Sequence, residues 1–156
     1  PKKGRGHVGR LIKDILTFKT DAKSTNYEAP LEYLARVQKK RSIVFMISDF
    51  FGNLPDQLKI QARRHDLIAI RLQDRLEGEL PNVGLLELMD AETQEHILVN
   101  TASQKNREEY RRRYQAWNEK LEEFLRQSKI DLIDLETHKD YVQNLVKYFH
   151  RRERRR

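Results

Sequence analysis

Residues 43–52 read IVFMISDFFG, and how this stretch is placed decides the fold. Five consecutive apolar residues, Ile43 to Ile47, have the length and composition of a buried strand, yet the run ends on Ser48 and Asp49 and is followed by Phe50 and Phe51. A helical stretch over 54–65 comes next. A second apolar run, DLIAIRL at 66–72, is nearly continuous, as expected of a strand covered on both faces. Strand and helix alternate here, which argues for a parallel sheet with helices packed against it.

The pattern continues outward in both directions. Val8, Leu11, Ile12, Ile15 and Leu16 recur at helical spacing and predict a helix over 8–18, followed by the polar loop KTDAKST. A second amphipathic helix is predicted from Tyr27 to Lys39, with Pro30 in its first turn, where a missing N–H is tolerated. Downstream, LEGELPNVG breaks the alternation, and GLLELMD and HILVNT read as a β-hairpin inserted near 84–100. Tyr110, Tyr114, Trp117, Leu121, Phe124 and Leu125 mark one face of a long helix over 103–127. IDLIDLET at 130–137 is the last strand, and a closing helix over 140–152 carries Val142, Leu145, Val146 and Phe149 on one side. The expected fold is α/β, doubly wound around a mostly parallel sheet, as one domain over 1–150 with a basic tail at 151–156.

A length of 156 residues suits a single such domain. The formal charge of +7 would ordinarily point to nucleic acid, but residues 1–10 and 151–156 carry +4 each, which puts residues 11–150 one charge from neutral. The basic excess thus falls on two ends expected to fray, and no specific nucleic-acid partner is expected. There is no cysteine, which excludes a disulfide scaffold and thiolate metal sites and fits a reducing cytoplasm. No apolar run is long enough to span a membrane, and no signal-peptide pattern opens the chain.

Several motifs carry less than they promise. Gly4-Arg5-Gly6-His7-Val8-Gly9 matches G-x-G-x-x-G, but a dinucleotide fingerprint follows a strand and is answered by an acidic residue ending a second one, and residues 1–30 supply neither. His7, His65, His96, His138 and His150 fall in different elements, none with a second ligand at metal spacing. Asp49 is different. Ligands of open parallel sheets sit beyond the carboxyl ends of the strands, and a carboxylate placed there with hydroxyls from other loops makes a hard oxygen site for Mg²⁺ or Mn²⁺. Capping or turning the chain into helix 54–65 is the other use for it.

The stretches GRGHVGRLIKDIL, STNYEAPLEYLARVQKKRSIVFMISDF and ARRHDLIAIRLQDRLEGELPNVGLLELMDAETQEHILVNT together resemble the bacterial domain-of-unknown-function 58 family, over almost the whole chain. Members of that family look like von Willebrand factor A domains. The resemblance implies a metal-ion-dependent adhesion site built from an Asp-x-Ser-x-Ser motif, a threonine before a helix and an aspartate after a later strand. Thr25 stands at the threonine's place and Asp49 at the aspartate's, with Ser48 nearby; Asn26 stands where members commonly have Asp. The Asp-x-Ser-x-Ser motif does not occur, and the family carries it upstream of GRGHVGR, so the chain is expected to begin after the first strand and its ligands. Phe50 and Phe51 either line a partner-binding rim or pack beneath the following helix.

Two functions of different class follow. The first is a non-enzymatic interaction module with a partial adhesion site, weak in Mg²⁺, which the resemblance places beside a MoxR-type AAA+ ATPase. It would associate with further copies through the unpaired edge of strand 42–48. The alternative is a metal-dependent hydrolase or nuclease using Asp49 with Asp74 or Asp134, which needs several carboxylates to converge.

Overall fold

The computed structural model describes residues 4–19, 25–89 and 95–154. Its elements are α1 (Arg5–Thr17), α2 (Glu28–Val37), β1 (Ile43–Ser48), α3 (Gln57–Arg64), β2 (Asp66–Gln73), a short 3-10 turn at Arg75–Gly78, β3 (Leu85–Met89), β4 (His96–Asn100), α4 (Gln104–Gln127), β5 (Asp131–Glu136) and α5 (Tyr141–Glu153). β1, β2 and β5 form a parallel three-stranded sheet in that order, and β3 and β4 form a separate antiparallel hairpin. The AETQE turn expected to join them falls mostly outside the described residues.

β2 organises the domain because alternate residues of a strand face opposite sides of a sheet. Leu67 and Ala69 point into one core with Leu31 of α2, Leu58 of α3, and Leu121 and Leu125 of α4. Ile68 and Ile70 point into a second core with Ile133 and Leu135 of β5 and Tyr148 of α5. Helices therefore cover both faces, three elements on one and α5 on the other. Arg71 ends this run on the first face. Its buried guanidinium donates from Nε to Asp134 at 2.5 Å on the adjacent strand and also reaches Asn118 of α4, with Glu122 at 3.7 Å, so the desolvated charge is compensated where it lies.

Local chemistry sets the boundaries. Ser103 Oγ accepts from the Asn106 N–H and starts α4, and Asp140 accepts from the Val142 N–H and starts α5. α3 begins at Gln57 rather than at the expected residue 54, because Pro55 restricts the backbone before it. Thr101, fully buried, holds the base of the hairpin: its Oγ1 donates to the Gly84 carbonyl at 2.7 Å and accepts from the Val83 N–H.

Three features lie beyond what the helical periodicity predicts. α1 forms, with Gly4 at a positive φ before it, but Val8, Leu11, Ile12, Ile15 and Leu16 are all exposed. In α5 the residue buried against the sheet is Tyr148 and Leu145 packs beside it, while Val142, Val146 and Phe149 remain substantially exposed. Residues 151–153 continue α5, and Arg152 pairs with Asp66 and Asp131, the first residues of β2 and β5. No helix among the described residues is long and apolar enough to cross a membrane.

Tyr148 donates to Asp131 at 2.6 Å. Burial, reinforced by that carboxylate, pushes the phenol up to about 12. The folded chain thus holds this proton more tightly than the unfolded one, whose tyrosines ionise near 10, so the contribution is complete below pH about 10 and lost as pH rises toward about 12. Urea titrations should show Tyr148→Phe about 1 kcal/mol less stable at pH 8. They should also show a smaller loss of stability between pH about 10 and 12 in the variant than in the parent.

Candidate functional site

Parallel strands deliver their carboxyl ends, and the loops that follow them, to one edge of the sheet. β1 arrives there at Ser48, and Asp49 follows it into solvent. The turn beyond is tight. Phe50 takes a φ of 62° and Gly52 a φ of 94°, and the left-handed conformation at Phe50 costs on the order of 1–2 kcal/mol in a residue with a side chain. Its effect is to turn Phe50 wholly into the core while leaving Asp49 and Phe51 outside. Phe50 therefore presents no surface to a partner, and its place beneath α3 and α4 decides the alternative left open by the sequence. Phe51 is 41% exposed and stacks on Trp117 of α4, with ring centroids 4.4 Å apart and planes 16° from parallel.

Side chains fix the turn in place. Asp49 Oδ1 accepts from the Phe51 N–H at 3.2 Å, and Ser48 Oγ accepts from the Phe50 N–H at 3.0 Å. Tyr27, at the start of α2, donates its hydroxyl hydrogen to the Phe51 carbonyl at 3.0 Å. That hydrogen is then committed, so at the 3.2 Å contact between Tyr27 Oη and Ser48 Oγ the serine is the donor. Asp49 Oδ1, also 3.2 Å from Ser48 Oγ, competes for the same serine hydrogen.

Thr25 lies two residues before Tyr27 and Asp49 one residue after Ser48, and both are exposed. The buried Tyr27 thus ties the loop carrying Thr25 to the loop carrying Asp49, a pairing across 21 residues that the sequence did not reveal. Asn26, between them, accepts from the Glu28 and Ala29 N–H groups at 2.9 and 3.2 Å and caps α2, which is work its amide oxygen does as well as a carboxylate would. A hydroxyl and a carboxylate at one exposed edge are hard oxygen donors that could take part in holding Mg²⁺ or Mn²⁺.

Of the other candidate carboxylates, Asp74 follows β2 at the same carboxyl edge and Asp134 lies within β5, and each is engaged within the sheet. Asp134 receives Arg71, and Asp74 accepts from Thr137 at 3.1 Å. Among the described residues no three His, Asp or Glu side chains gather as a metal-binding group. Gly6 and Gly9 of the glycine-rich opening lie within α1 itself, and only Gly4 precedes it as the N-cap.

Comparisons with known proteins give the family. The family model described as protein of unknown function DUF58 matches residues 1–120, and the chain belongs to that family. It is 27% identical over 157 residues to uncharacterised proteins of Mycobacterium bovis and Mycobacterium tuberculosis, covering 97% of this chain and 49% of each relative. An uncharacterised protein of Mycobacterium avium is 28% identical over 126 residues, covering 80% of this chain and 74% of the relative. The chain spans about half the length of the first two relatives. No solved structure matches it.

Removing the Tyr27 hydroxyl by Tyr27→Phe should lower stability by about 1 kcal/mol, and Phe50→Ala, which empties a core position, by about 3–5 kcal/mol. Phe51→Ala should cost only about 0.5–1.5 kcal/mol through the lost stack on Trp117. Urea denaturation of the three variants checks the order; a loss at Phe51 equal to that at Phe50 would contradict the placement of the two rings.

Proposed function

We propose that this chain is a non-enzymatic protein-interaction module, a von Willebrand A-like domain with a partial metal-ion-dependent adhesion site. Thr25 and Asp49, with Ser48 nearby, are its cation-facing residues, and Mg²⁺ or Mn²⁺ is the ion. The supporting observation is the Tyr27 hydroxyl, which bonds to Ser48 and to the Phe51 carbonyl and so draws the two loops to one edge of a parallel sheet. In such a module the ion keeps an open position that an acidic side chain of the partner fills, and Phe51 on Trp117 supplies an aromatic rim beside it. The partner class, a MoxR-type AAA+ ATPase, rests on the family resemblance.

One hydroxyl and one carboxylate are few ligands for a cation that usually takes six, and affinity follows ligand number and charge. Calorimetry should therefore detect Mg²⁺ binding to this chain only at millimolar concentration or not at all, whereas micromolar binding would contradict the partial site. Retention of a purified MoxR-type ATPase on the immobilised chain, reduced at least about tenfold by Asp49→Ala, is the expected functional result. No retention with Mg²⁺ and ATP present would overturn the partner class. Mg²⁺-dependent hydrolysis abolished by Asp49→Ala would overturn the non-enzymatic reading.

A further inference from the structure

Between the turn after β1 and the middle of α4 lies a slot of about 330 Å³, walled by Phe50, Leu54, Trp117 and Phe124. Its walls belong to the core on the α2, α3 and α4 face of the sheet. Phe50 is fully buried there, and Leu54, Trp117 and Phe124 pack around that core half-buried. The two aromatic walls on α4 are held by residues that do not line the slot. Phe51 stacks on Trp117 at 4.4 Å, and Lys59 Nζ lies 4.9 Å from the centre of the Phe124 ring. Closing the slot by turning either ring would break one of these contacts. Its volume falls at the lower end of ligand pockets, about 300–1,000 Å³, and suits one large side chain rather than a cofactor.

The walls select an apolar group, and the charge beside them selects what flanks it. Lys120 is the one charged residue of the lining, and no acid lines the slot. It is exposed and has no ion pair among the described residues, whereas Lys59 is already met by Asp56 at 2.7 Å. Glu119, Glu122 and Glu123 of the same helix line a different cleft, against β5. The loop adds donors: among the described residues the N–H groups of Gly52, Asn53 and Leu54 meet no protein acceptor. An aromatic slot rimmed by a free cation and unpaired N–H groups is complementary to a ring with carboxylates beside it.

We propose that this slot receives one aromatic side chain from an acidic segment of a partner protein, the ring lying against Trp117 and Phe124 and a flanking carboxylate meeting Lys120. The contact needs no ion at Asp49, so it is a second point of recognition beyond the cation-facing edge. A buried aromatic anchor of this kind ordinarily carries most of the affinity of the segment that bears it, and the rim charge sets its preference among partners.

Trp117 is the chain's one tryptophan, so its emission reads the slot directly. The probe is a blocked pentapeptide, acetyl-Asp-Asp-Phe-Asp-Asp-amide, titrated in EDTA so that failure here is told apart from failure of the cation site. Emission should change saturably, and quenching by acrylamide should fall as the peptide shields the indole. Replacing the peptide's Phe by Ala, or its Asp residues by Lys, should weaken binding about tenfold or more. Lys120→Glu, checked for folding by circular dichroism, should weaken the acidic peptide about fivefold and strengthen the lysine-flanked one. No change in emission up to millimolar peptide would overturn the proposal. So would equal binding of the acidic and lysine-flanked peptides, or indifference to Lys120→Glu. Emission that shifts with protein concentration alone would put a second copy in the slot and overturn it as well.

Discussion

β2 is the constraint from which the rest of the structure follows. A strand buried on both faces between two parallel neighbours cannot leave a polar group unanswered, so its residues from Leu67 to Ile70 are apolar and serve two cores in alternation. Its one buried charge, Arg71, is met at once by Asp134. At its amino end, Asp66 is reached by Arg152 from α5, so the same strand that divides the two cores also anchors the last helix. Perturbing β2 would disturb both cores together; perturbing β3 or β4, whose apolar residues are largely exposed, would not.

That arrangement sets the candidate site by geometry alone. Because β1 and β2 run the same way, the turn after β1 emerges at the carboxyl edge, and the left-handed Phe50 sends one aromatic ring inward and a carboxylate outward. The core ring and the exposed carboxylate are two consequences of one strained turn. Tyr27 then supplies the long-range bond that holds the loop before α2 against this turn.

The parts of the fold legible in the sequence were those with a local signal. The apolar runs at 43–47 and 66–72 marked two strands, the Gly and Pro of LEGELPNVG marked the break before the hairpin, and the aromatic and leucine spacing marked α4. Local signals failed where a distant partner decided the outcome. Helical periodicity located α1 but could not tell that its apolar side is exposed among the described residues, and in α5 it marked Val142, Leu145, Val146 and Phe149 but not Tyr148, whose hydroxyl finds Asp131 and whose ring finds the sheet. Asp49 was visible as a carboxylate in an unexpected place. Tyr27 was not visible, because nothing nearby in sequence distinguishes a tyrosine beginning a helix from one that ties two loops.

The claim that these two loops form a single cation-facing edge is the centre of the account, and paramagnetic relaxation measures it most directly. Mn²⁺ kept far below the protein concentration, raised stepwise and followed by backbone amide spectra, broadens first the signals close to the site it visits, because fast exchange spreads the effect over all copies even where binding is weak. The account predicts that amides of residues 25–27 and 48–51 broaden together, and that Asp49→Ala relieves both. Broadening of one loop without the other, or broadening centred on β5 and α4, would contradict it.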